Sequence, residues 1–225
     1  VATLTEGPVS PRVTAVSNLF AIVVAAVAWP ALVLQYWLMM WSGFEGLALL
    51  RFFSFFTILS NVLVGFVAAS AAMGGSWGPL AFWRRPRVRG LAAVSITVTC
   101  LVYATVLQST WEPLGPQLVA DRALHYVVPV LYLVWWIALL PHGALAWRDA
   151  LRWLWFPLLF ALWTFVRGAI VREYPYPFLD VQRLGYGTAL VNTLLVGGVF
   201  LVLGTAFVAL DRVLCGNRLS GGDGR

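Results

Sequence analysis

Six runs of apolar residues dominate this chain: Leu19 to Met40, Leu47 to Ala72, Leu91 to Thr110, Leu124 to Leu140, Leu154 to Val171 and Gly187 to Leu210. Each approaches or exceeds the roughly 20 residues that a helix needs to cross the hydrocarbon of a bilayer. They predict an all-α polytopic membrane protein of six transmembrane helices. Composition agrees, since 61% hydrophobic and 11% charged residues in 225 make more apolar surface than a soluble core of this size buries. Residues 1–18 and 213–225 are polar and rich in Gly, Pro and Ser, and read as disordered tails around a transmembrane domain over 19–212. The first run reads as a span rather than a signal peptide: no basic stretch adjoins it, and Gln35 and Tyr36 stand where a cleavage site would fall.

Every basic residue is an arginine. Arg84, Arg85, Arg87 and Arg89 follow the second run, Arg148 and Arg152 follow the fourth, and Arg12, Arg212, Arg218 and Arg225 lie in or near the tails, all on one side of a six-span chain. Arg51, Arg122, Arg172 and Arg183 fall on the other side. The side richer in arginine faces the cytoplasm, so both termini are expected there. Tryptophans mark the same two boundaries, with Trp41 and Trp111 at the outer one and Trp77, Trp83, Trp147 and Trp153 at the inner. The arginine-only basic set and the wealth of Trp, Ala and Val point to a GC-rich bacterial genome and hence to a plasma (inner) membrane. No nucleic-acid-binding module is visible, and the arginines sit where membrane orientation needs them. Cys100 and Cys215 lack metal-ligand or CxxC spacing, and no structural disulfide is expected.

Within the second run, Arg51, Ser54, Thr57 and Asn61 fall at helical spacing along one side. Polar groups in lipid are costly and normally face a protein interior or a wet cavity, so this line predicts a buried polar pocket. Thr57 lies about ten residues below the outer boundary, and His125 begins the fourth span at that boundary, so both fall in the outer half of the bundle. The other histidine, His142, lies at the far end of the same span, roughly 25 Å away along a helix, and reads as an interface residue beside the cytoplasmic arginines. Threonine is a weak nucleophile until a base removes its proton, and histidine is the usual base near neutral pH. Asp121, one turn before His125, is placed to orient the imidazole, and Asn61 to donate to an oxyanion. The spacing alone fits equally a Thr57 hydroxyl bonded back along its helix and a His125 among headgroups.

Other polar groups converge on that half. Arg167 either snorkels to the headgroups or holds an anionic head, and the connection Tyr174 to Asp180, stiffened by Pro175 and Pro177, is placed to cap a pocket. Arg51, Arg167, Tyr176, Asp180 and Asn192 are the candidate substrate-binding residues. Gly74-Gly75-Ser76-Trp77-Gly78 matches the nucleophile-elbow pattern, but that elbow needs a strand before it and here follows a membrane helix. One histidine with Asp121 and Glu112 has no recognisable metal-ligand spacing, so no metal is expected. No phosphate-binding glycine loop and no transporter-like internal repeat is found.

Three segments, Phe55-Phe56-Thr57-Ile58-Leu59-Ser60-Asn61, His125-Tyr126-Val127-Val128-Pro129 and Tyr176-Pro177-Phe178-Leu179-Asp180, in that order in a small six-span protein, resemble the androgen-induced-gene family of membrane proteins. Its animal members are threonine hydrolases of fatty acid esters of hydroxy fatty acids, and it has bacterial relatives of unknown activity. The resemblance runs from the second span through the sixth, and the Tyr-Pro-Phe loop is its most specific element. It implies a nucleophilic threonine at Thr57 and a histidine at His125. The family's Leu-Thr-Phe pattern also lies over Phe53-Ser54-Phe55, which makes Ser54 a reserve nucleophile. The function expected is hydrolysis of a lipid ester through an acyl-threonine, without metal or organic cofactor, with membrane lipids and the ester as partners and the pocket toward the outer leaflet. The competing expectations are a non-enzymatic lipid or small-molecule binder and, third, a transporter.

Overall fold

The computed structural model describes residues 11–41, 47–74 and 78–220. The expectations for residues 1–10 and 221–225 and for Ser76 and Trp77 lie outside them. The described chain is helical throughout: α1 (Pro11–Trp41), the short α2 (Ala48–Phe52), α3 (Phe56–Met73), the short α4 (Gly78–Trp83), α5 (Pro86–Val102), α6 (Pro116–Arg122), α7 (Val128–Leu139), α8 (Trp147–Trp153), α9 (Trp155–Val171) and α10 (Val181–Ser220). A π-helical turn at Tyr103–Leu107 extends α5, and another at Ala123–Val127 fuses α6 and α7. Six continuous helices are long and apolar enough to cross a membrane: 12–41, 56–73, 86–110, 116–139, 147–171 and 181–216. The protein is an all-α polytopic membrane protein.

Three boundaries differ from the sequence reading. Helix α1 is already formed at Pro11, so residues 11–18 belong to the first helix and not to a tail; proline at a first helical position loses no main-chain bond. Helix α10 runs to Ser220, taking residues 213–220 out of the expected tail. The third difference matters most. The second apolar run is two helices, because the chain leaves helical geometry after α2 and enters α3 through Phe55 in extended conformation (φ −103°, ψ 129°). Arg51, Ser54, Thr57 and Asn61 therefore do not share one helix face. The break turns the N-terminus of α3 into the protein interior just before Thr57, where its first N–H groups have no partner within the helix.

Helices α3 and α5 form the centre. Helix α3 packs chiefly on α1 and α5, and α5 on α3, α7 and α10. Small residues allow the approach that membrane helices need: Gly65 lies under the Trp29 indole, and Gly90 leaves no room for a Cβ beneath Trp153. Helix α9 is peripheral, and Leu158, Leu159, Leu162, Leu190, Leu194 and Leu195 leave the α9–α10 flank an exposed apolar surface. Helix α10 breaks in its first turn at Gly185, whose φ of +72° suits a residue without a side chain.

Candidate active site

Thr57 is the second residue of α3, and its hydroxyl faces the π-helical turn between α6 and α7. Thr57 Oγ1 lies 3.2 Å from His125 Nε2. The other ring nitrogen, Nδ1, meets only acceptors, with the Asp121 main-chain oxygen at 3.0 Å and Asp121 Oδ1 at 3.2 Å. In the neutral imidazole Nδ1 therefore carries the proton, and Nε2 presents its lone pair to the Thr57 hydroxyl. The main-chain oxygen takes the better-aligned bond, and the carboxylate flanks it. Asp121 is buried, and Tyr103 Oη donates to its second oxygen. The Tyr103 ring also stacks on His125, centroids 3.8 Å apart and planes 13° from parallel. His125 is thus clamped by ring, carbonyl and carboxylate.

The two stacked rings, Tyr103 and His125, both come from π-helical turns, a feature that often marks functional sites in helices. At the second turn the Val128 N–H bonds Ala123 O, and Pro129 has no N–H, so Leu124 O loses its usual main-chain donors. Asn61 replaces them. Its Nδ2 donates to Leu124 O at 3.1 Å and to Thr57 O at 2.8 Å, which ties the His125 turn to the Thr57 turn. Asn61 is fully buried with its donors committed, so it is no oxyanion donor.

Tyr176 reaches the same point from the α9–α10 loop. Its hydroxyl accepts the Thr57 main-chain N–H at 3.3 Å and lies 3.5 Å from Thr57 Oγ1. Its ring stacks on Phe178 and meets Phe55 and Phe160. Burial pushes the phenol above its ordinary value, against the hydrogen bonds from Thr57 and Phe56 that oppose the shift. A protonated Tyr176, accepting from the end of α3, keeps its own O–H available for an oxygen beside Thr57.

The other sequence candidates have different work. Ser54 donates to Leu50 O at 2.7 Å and accepts the Trp163 indole N–H at 3.0 Å, so it is no second nucleophile; this back-bond competes with helical pairing where the second run breaks. Arg167 is buried and donates to Glu173 Oε2 at 2.8 Å and to Glu173 O at 3.2 Å, and so holds the loop rather than a ligand. Arg51 Nε meets Glu173 Oε1 at 2.6 Å while the side chain lines a cavity. Asp180 caps α10 by accepting the N–H groups of Gln182 (2.9 Å) and Arg183 (3.3 Å), and Asn192 donates to Phe178 O at 2.9 Å; neither lines either of the two cavities beside Thr57. His142 is buried rather than interfacial, between Asp211 Oδ1 and Ile137 O, each at 3.1 Å. Tyr103 was not singled out by sequence. Its signal was a lone hydroxyl-bearing ring in the third run, two turns before the boundary at Trp111.

Two cavities meet at Thr57. One, of about 560 Å³, is lined by His125, Asp121, Tyr103, Gln35, Gln117 and Arg51 among others. The second, of about 280 Å³, lies between α3, α5, α9 and α10 and is almost wholly apolar. Thr57, Leu107 and Tyr176 line both. Among the described residues no three His, Cys, Asp or Glu side chains converge as metal ligands do. Comparison with known proteins finds no matching family model, no matching curated protein and no matching solved structure. The reading of the site rests on its geometry.

Proposed function

We propose that the protein hydrolyses a lipid ester within the membrane, with Thr57 as nucleophile and His125 as general base. The observation that carries this reading is the 3.2 Å approach of Thr57 Oγ1 to Nε2 of an imidazole whose Nδ1 is held by Asp121. His125 takes the hydroxyl proton as Thr57 Oγ attacks the acyl carbon. The carbonyl oxygen gains negative charge, and the Tyr176 O–H donates to it. His125 then returns the proton to the departing alkoxide, leaving an acyl-threonine. Water attacks the acyl carbon, passes a proton to His125, and the carboxylic acid leaves as Thr57 recovers its hydroxyl.

The resemblance to the androgen-induced-gene family of threonine hydrolases supports the same pair, and makes fatty acid esters of hydroxy fatty acids the first substrates to try. The positive-inside arrangement of the arginines supports a site in the outer half of a bacterial plasma membrane with both termini cytoplasmic. The apolar cavity favours one competing reading, a lipid-binding protein without turnover. Detergent-purified protein assayed on a hydroxy-fatty-acid ester panel separates the two. Turnover lost in Thr57→Ala and His125→Ala and kept in Ser54→Ala is expected; copurified lipid with no turnover and no labelling by a fluorophosphonate probe overturns the hydrolase.

A further inference from the structure

The two cavities are unequal in a way that assigns the two arms of an ester. In acyl transfer the leaving alkoxide needs a proton, and His125 is the group that holds one at that moment. The His125 imidazole lines the larger cavity and takes no part in the wall of the apolar one. The leaving oxygen must therefore lie toward the larger cavity. The acyl substituent, on the far side of the carbonyl carbon from that oxygen, points to the apolar cavity. Resting on the Thr57 and His125 reading, we infer that the cavity between α3, α5, α9 and α10 binds the acyl chain and sets the acyl-length preference, while the alcohol portion occupies the polar cavity beside Gln35, Gln117 and Arg51.

The wall of the apolar cavity fits this use. On α10, Thr193, Gly197 and Leu201 succeed one another at intervals of four and line the cavity. A Cβ placed on Gly197 meets nothing within 4 Å, and the same holds for Gly198, so the absent side chains leave room rather than close helix contact. Ala161 of α9 supplies a third small lining residue. The lining has no charged group, and the Thr193 hydroxyl is already committed to Ala189 O at 2.8 Å. Apart from the Thr57 and Tyr176 hydroxyls of the reacting centre, and with Thr99 bonded to Ser60, such a space offers no free partner to a polar or ionic arm, whereas a hydrocarbon chain needs none.

Two matched ester series provide the test. One holds a short alcohol constant and lengthens the acyl chain from butyryl to palmitoyl; the other holds a butyryl group and lengthens the alcohol. Gly197→Phe and Ala161→Phe, each checked for a monodisperse gel-filtration peak, fill the cavity from α10 and from α9. A chain that no longer fits pushes its carbonyl away from Thr57, and since a misplacement of about 1 Å can cost about a hundredfold, kcat/KM for the palmitoyl ester falls at least about tenfold. The butyryl ester and the alcohol series stay within about twofold for whichever variant folds. A filled cavity that instead shortens the alcohol preference, or lowers all acyl lengths equally, overturns the assignment. Two misfolded variants do so as well, because they show that the space is not free for a chain. Wild-type protein inactive on every ester counts against the hydrolase reading itself, and is told apart by that result.

Discussion

Asn61 donates to the carbonyl of Leu124, a carbonyl left without a main-chain partner because Val128 bonds one residue further back and Pro129 has no N–H. The same amide donates to Thr57 O, so one side chain spans the two turns whose hydroxyl and imidazole meet. Asn61→Asp keeps the shape, removes both donors and sets an acceptor against two carbonyls. It should lower stability by about 2–3 kcal/mol, the cost of leaving buried polar groups unmet. Ser60→Ala, which removes the hydroxyl contact between Ser60 of α3 and Thr99 of α5, should cost about 1 kcal/mol. Thermal unfolding in one detergent compares the two.

Tyr103 acts on His125 in two ways that substitution separates. Tyr103→Phe keeps the stacked ring and removes the hydrogen bond to Asp121, and a loss of about tenfold in kcat is expected. Tyr103→Leu removes both and should lose about a hundredfold, since a misdirected base is a common cause of losses on that scale. If His125 were a packing residue alone, both variants would move stability and leave the pH–rate profile in place. A shifted acid limb in Tyr103→Phe would show that the hydroxyl acts through the imidazole.

Tyr176→Phe removes the hydroxyl that lies 3.5 Å from Thr57 Oγ1 and retains the ring that stacks on Phe178. Removal of an oxyanion donor elsewhere costs about 10²–10³ in kcat, and a fall of about a hundredfold with little change in KM is expected here. A KM effect with kcat preserved would make Tyr176 a binding contact only.

The same residue has an alkaline signature. Burial raises the Tyr176 phenol in the folded protein above the unfolded value of about 10, so below that pH both states hold the proton and stability does not depend on it. Above it the unfolded chain releases the proton first, and folding stability falls as pH rises toward the folded value. The stability difference between wild type and Tyr176→Phe should be level up to pH about 10 and then decline, as read from thermal midpoints across the alkaline range.

Much of this architecture could be read from the chain, because lipid imposes length and polarity on every helix that crosses it. Depth counting along two spans brought Thr57 and His125 to one level, and the structure places them 3.2 Å apart. The break between α2 and α3 was not legible, since neither proline nor glycine marks it and the run through Phe52, Phe53, Phe55 and Phe56 is apolar throughout. Arg167 looked like a ligand-binding cation because its partner, Glu173, arrives only through the path of the loop after α9. The role of Asn61 depends on a register shift caused by a proline on another helix, which no spacing within its own segment records.

The lip of the apolar cavity includes Leu158 and Leu194, both exposed on the α9–α10 flank that faces hydrocarbon in a bilayer. Moving a free lipid chain into water costs about 0.8 kcal/mol per methylene, which for a long chain exceeds what most binding sites return. A chain passing between those leucines exchanges one apolar surround for another. For the lipid ester proposed as substrate, only the ester group would change solvent on its way to Thr57, so the cost of reaching this site would depend little on how long the chain is.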